Sequence, residues 1–78
     1  MNKIYVTMTD TFMSGWGGAN GRISKFVIIC NNRVQAEAVA DKFRRYPEMK
    51  RVSIRYTRPN YPTNKYKTDF RNFDEVVY

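Results

Sequence analysis

The chain has 78 residues, 14 Lys/Arg against 7 Asp/Glu, no histidine and one cysteine, and it is 42% hydrophobic and 15% aromatic. That is the length of one domain, residues 1–78, with an ordered composition. No run of about 20 apolar residues is present to span a membrane, and the lone Cys30 excludes an internal disulfide, so the cytoplasm is the expected compartment. The N-terminus lacks the apolar core of about 7–15 residues that a signal peptide needs. So short a domain buries only about 60% of its unfolded surface, and marginal stability is expected unless a partner shares the core.

Ile4, Val6 and Met8 alternate with Lys3, Tyr5 and Thr7. This period of two predicts a strand over 2–9, with Tyr5 on the face opposite the core. Residues 12–22 hold every glycine and the single tryptophan, Trp16. They are too many for a two-residue hairpin turn. Residues 22–30 read as a second strand, apolar on both faces at Phe26-Val27-Ile28-Ile29-Cys30, which suits an interior position. The two strands are expected to pair as antiparallel neighbours.

Asn32 followed by Gln35 forms a capping-box pattern and predicts a helix over 33–46. Ala36, Val39, Ala40 and Phe43 make its buried stripe, while Glu37 and Asp41 face out. Arg44 and Arg45 fall in the last turn, where the helix dipole favours cations, and Pro47 stops the helix. Residues 51–57 read as a third strand, with Val52, Ile54 and Tyr56 on one face and Arg51, Ser53 and Arg55 on the other. Pro59 and Pro62 bracket a turn-rich connection. Residues 65–70 read as a fourth, edge strand with charges that oppose strand addition. Val76-Val77-Tyr78 reads either as a last short strand or as an apolar plug.

The predicted class is α+β: a three- to five-stranded, mainly antiparallel sheet in β-β-α-β-β order with one helix on one face. The helical crossover makes the second and third strands parallel, and placing the first strand between them keeps connections short. The opposite sheet face, carrying Tyr5, Arg51 and Arg55, then has no helix and is open to a ligand or a second copy of the chain.

Catalytic chemistry has little to work with. Without histidine the commonest general base and metal ligand are missing, and Cys30 has no histidine partner to activate it. The acidic residues form no constellation. The expectation is therefore a non-enzyme with no metal and no cofactor. The glycine stretch fails as a phosphate loop: a dinucleotide fingerprint starting at Gly15 meets Asn20, and a P-loop would need Lys-Ser/Thr where the chain has Arg22-Ile23. The stretch also leads into a strand, where no helix dipole awaits a phosphate. Trp16 has two readings, a residue packed on the core edge or an exposed partner anchor.

Charge is placed unevenly. Residues 42–71 hold ten Lys/Arg against two Asp/Glu, a net of +8, while residues 1–41 hold four against three. Arg44, Arg45, Lys50, Arg51, Arg55, Arg58, Lys65 and Lys67 are interleaved with aromatics including Tyr61 and Tyr66. Cations neutralise phosphates and aromatics stack bases, so this is the composition of a single-strand nucleic-acid binder. The start, Lys3-Ile4-Tyr5-Val6, resembles the first-strand motif of RNA-recognition-motif domains, in which a sheet-face aromatic stacks on a base. That fold has two helices where one is predicted here. The physical idea carries over: Tyr5, Arg51 and Arg55 would form a stacking, cationic platform.

The block Phe12-Met13-Ser14-Gly15-Trp16-Gly17, with Ala19, Gly21, Lys25, the apolar run to Cys30, Ala36, Ala38, Val39 and Glu48-Met49 before Val52 and Ile54, resembles a small family encoded by phages and prophages. The resemblance covers about residues 1–57 and brings no assigned catalytic residues. It implies a small protein acting on host machinery, of which anti-CRISPR inhibitors are the prominent example. Such an inhibitor would bind a host protein or ribonucleoprotein complex, such as a CRISPR effector, and block target DNA binding. The basic character argues against DNA mimicry and for contact with guide RNA, DNA or acidic patches. Direct, sequence-tolerant DNA or RNA binding is the alternative. The candidate contact set is the eight cations named above with Tyr5, Tyr61, Tyr66 and Trp16.

Overall fold

The computed structural model describes residues 3–11 and 21–76. The elements run β1 (Ile4–Asp10), β2 (Ile23–Cys30), α1 (Arg33–Arg44), β3 (Met49–Arg55) and β4 (Tyr66–Asn72), followed by a 3-10 turn (Phe73–Glu75). The fold is α+β, with one four-stranded mixed sheet in the order β3-β1-β2-β4. β1 is antiparallel to both β2 and β3, and β4 lies parallel to β2. Residues 12–20, with Trp16 and three of the four glycines, fall outside the described residues, but the strands that flank them are antiparallel neighbours. Gly21, at the entry to β2, has φ +78°, a left-handed conformation that glycine adopts without a Cβ penalty.

Helix α1 packs on one sheet face. Val6 and Met8 from β1, Ile28 and Cys30 from β2, and Ala36, Val39, Ala40 and Phe43 from the helix form the buried core. Removing each large side chain from water contributes about 1.5–3 kcal/mol. Phe43 also meets Phe26 and Tyr46 edge to face, with centroids 5.7 and 5.4 Å away. The helix stripe is the one its 3.6-residue period predicts. Asn32 caps it by accepting from the Gln35 amide at 2.9 Å. The reciprocal bond is displaced by one residue: Gln35 Oε1 accepts from the Asn31 amide at 2.8 Å.

The ends of the helix and of β3 depart from expectation, and β4 runs on to Asn72, two residues past its expected end. The helix ends at Arg44 with Arg45 as its C-cap, two residues early, because the amides of Arg45 and Tyr46 turn back to the carbonyls of Lys42 and Phe43 ahead of Pro47. β3 begins at Met49 and ends at Arg55, so Tyr56 leaves the sheet and lies 58% exposed against the Arg33 guanidinium. After β4, the chain turns and lays Phe73 and Val76 on the core. That favours the plug reading for Val76; Val77 and Tyr78 lie outside the described residues.

A β-bulge in β3 decides where its side chains point. Thr7 pairs with Ser53, yet Thr9 pairs with Lys50, so Arg51 and Val52 together oppose Met8. Arg51 takes up the extra residue at φ 57°, in the left-handed region that disfavours side chains. The apolar spacing explains why. Val52 and Ile54 fit a period of two, but Met49 does not, and only an inserted residue lets all three pack on the core. The same insertion turns Lys50 to the opposite face.

Candidate functional site

The second sheet face is organised in rows that the register defines. Arg55, Tyr5, Ile29 and Asn72 lie side by side at one end. Ser53, Thr7, Val27 and Phe70 form the next row, and Lys50, Thr9, Lys25 and Thr68 the one after it. Ile23 and Tyr66 complete the face at the far end. No Asp or Glu stands in these rows; the acidic strand residues, Asp10 and Asp69, alternate onto the helix side.

The face is not bare. The segment 56–65 must carry the chain from β3 at one edge to β4 at the other, and it does so across this face. Arg58 stacks on the Phe70 ring at 4.3 Å, and Tyr61 packs on Tyr66 at 5.3 Å. Val27 and Thr7, in the middle row, are buried at 0% and 4% exposure. The expectation of a wholly uncovered second face is thereby corrected: a proline-bracketed strap covers its centre. The strap is not helical because Pro59 and Pro62 remove amide donors, and aromatic and cation contacts hold it instead.

Beside the strap, at the end of the face, lies a cleft of about 390 Å³ lined by Thr9, Thr11, Ile23, Lys25, Lys50, Arg51 and Tyr66. Lys25 donates from Nζ to Thr9 Oγ1 at 2.7 Å. Its ammonium also sits 5.4 Å from the Tyr61 ring centroid and 5.6 Å from that of Tyr66. Burial pushes the Lys25 pKa down from its ordinary value, and the charges of Arg51 and Arg55 push it the same way. Thr11 Oγ1 donates to the Glu48 carbonyl at 2.7 Å, tying the end of β1 to the start of β3. A second, smaller hollow of about 270 Å³ lies between Arg55 and the strap residues Arg58 and Tyr61.

Of the residues singled out in the sequence, Tyr5, Lys50, Arg51, Arg55, Arg58, Tyr61 and Tyr66 gather on this face. Arg44 and Arg45 do not: they end the helix in the other layer, with Arg44 3.8 Å from Asp41. Lys67 shares a register position with Ser24 and so alternates to the helix side of β4. Lys65 sits in the turn before β4, where its carbonyl accepts from the Ile23 amide at 2.9 Å. Trp16 lies outside the described residues. Sequence reasoning passed over Lys25 and Thr9 as site residues. Lys25 directly precedes the apolar run, and its period of two with Ile23 and Val27, which puts the three on one face, was the available signal.

Among the described residues no group of His, Cys, Asp or Glu could hold a metal ion, and no helix is long and apolar enough to cross a membrane. Cys30 is fully buried and its thiol pKa is pushed up to about 11 by burial. No family model, curated protein or solved structure matches the chain.

Proposed function

We propose that the protein is a non-enzymatic binding module that holds single-stranded nucleic acid, without strong sequence preference, on its basic sheet face. One observation carries this reading: Lys25, Lys50, Arg51 and Arg55 share a face with Tyr5 and Tyr66, and no strand carboxylate shares it with them. Four cations so placed repel one another, and a polyanion relieves that repulsion. Phosphates take the cations while bases stack on the half-buried Tyr5 and Tyr66 rings, each stack contributing about 1–3 kcal/mol. The test is fluorescence anisotropy with a labelled oligo-dT against salt. Affinity should fall on a log–log plot with a slope of about −0.7 per phosphate neutralised. Arg55→Ala and Tyr5→Ala should weaken binding, and Arg44→Ala should not. Absence of binding at low salt would end this reading.

A second reading rests on the Phe12 to Gly17 block and its resemblance to phage-encoded proteins. In it the same face seats on a host nucleoprotein such as a CRISPR effector and blocks target DNA binding. Co-expression with an active CRISPR system in a plasmid-interference assay tests it. Arg51→Glu/Arg55→Glu should abolish protection, and full protection by that variant would move the contact elsewhere.

A further inference from the structure

The cleft at the end of the face has features that a merely basic surface lacks. Thr9 stands in the register between Lys50 on one side and Lys25 on the other. Strand spacing puts those two lysines about 10 Å apart across it. The Thr9 hydroxyl accepts from Lys25, so its own proton remains for a ligand oxygen. The bulge brings Arg51 to the same cleft together with Lys50; in a regular strand Lys50 would point to the helix. Bulges are found next to ligand sites for this reason: they re-aim a side chain. The remaining wall comes from Thr11, Ile23 and the Tyr66 ring. A volume of about 390 Å³ suits a small organic ligand and is far more than a phosphate ion occupies.

We propose that this cleft binds a nucleoside phosphate, its phosphate held by Lys25, Lys50, Arg51 and the Thr9 hydroxyl and its base laid against Tyr66. The inference rests on the reading of the face as a nucleic-acid surface and names the site where a single unit is held most closely. The unit is either a free mononucleotide or the phosphorylated end of a strand. Lysine and arginine together supply the point charge and the fork that a phosphate dianion takes up.

The test is an NMR titration of the full-length, 15N-labelled chain with dTMP, thymidine and inorganic phosphate. dTMP should produce saturable shifts at Thr9, Lys25, Lys50 and Arg51, and thymidine should not. Lys50→Ala and Arg51→Gly should each weaken dTMP binding about tenfold, as expected for the loss of one charge-assisted contact. Arg51→Gly suits the left-handed backbone there, so its loss of binding cannot be put down to misfolding, and the dispersion of each spectrum confirms the fold. Equal shifts from thymidine, equal affinity for inorganic phosphate, or unchanged binding in both variants would overturn the proposal. A parallel titration with 5′-phosphorylated and 5′-hydroxyl oligo-dT separates the two sources. Preference for the phosphorylated end supports a strand terminus; dTMP binding without any oligonucleotide binding supports a free nucleotide and defeats the broader reading alone. Oligonucleotide binding that needs Arg55 and Tyr5, with no response to dTMP, leaves the broader reading standing and removes the cleft proposal.

Discussion

Lys25 reaches across the antiparallel β1–β2 pair and donates to Thr9 Oγ1 at 2.7 Å, with Lys50 on the other flank of the same threonine. The two lysines are 25 residues apart in the chain and one strand apart on either side of β1. Their meeting joins the single cation of β2 to the basic strand β3 in one electropositive row.

Lys25 is held charged at a cost. Burial lowers its pKa, and Arg51 and Arg55 add to the effect. A base whose folded pKa lies below its unfolded value of 10.5 binds fewer protons when folded. Folding stability therefore rises with pH through the window just below 10.5. Lys25→Met, which keeps the stem against the tyrosines, is expected to raise the melting temperature at neutral pH and low salt and to abolish this contribution. A lower melting temperature in the variant would show that the Thr9 and tyrosine contacts outweigh the repulsion.

Arg51 provides a separate test of the bulge. A side chain in the left-handed region costs about 1–2 kcal/mol. Arg51→Gly removes that strain but adds freedom to the unfolded chain, worth roughly 0.5–1 kcal/mol against it. Arg51→Ala keeps the strain. Urea unfolding should place the glycine variant above the alanine variant by about 1 kcal/mol. The reverse order would mean that residue 51 does not occupy the left-handed region.

Phe43 joins the helix to the sheet through Phe26 and to the chain beyond the helix through Tyr46. Phe43→Ala should remove about 3–5 kcal/mol. A chain of this length holds roughly 4–12 kcal/mol in all, so the variant should lose a large share of the total and unfold at a much lower urea concentration. Ile28→Val, which removes one buried methylene, should cost only about 0.5–1.5 kcal/mol and remain measurable by urea unfolding.

Cys30 reports on the core in the same alkaline range with the opposite sign. Its thiol is raised to about 11 from 9.0. An acid whose folded pKa is raised contributes stability that is complete below pH 9 and is lost as the pH climbs toward 11, by at most about 2–3 kcal/mol. This runs opposite to Lys25, and Cys30→Ala should remove it. A thiol reagent should label the native protein only as fast as the chain opens; rapid labelling in native buffer would place Cys30 nearer the surface.

Much of the fold was legible in the chain. The helix stripe Ala36, Val39, Ala40 and Phe43 and the cap at Asn32 follow from contacts three or four residues apart. The split placement of β1 follows from the crossover between β2 and β3. The bulge was legible only in outline: apolar residues at 49, 52 and 54 cannot share one face of a regular strand. Beginning the third strand at residue 51 concealed this. Arg44, Arg45 and Lys67 read as part of the basic surface because a charge count has no sense of which layer or face a residue occupies.

By itself the sequence determined the periodic elements, the core-facing residues and the excess of cations, because each of these depends on spacing within a few positions. The tertiary structure alone decided which cations share a surface. Lys25 meets Thr9 across 16 residues, and Thr11 meets Glu48 across 37. Strand pairing and register set those encounters, and a single inserted residue at Arg51 turned Lys50 away from the helix layer and toward the cleft. No local pattern encodes that outcome, since it is settled by the competition of whole strands to bury Met49, Val52 and Ile54 at once.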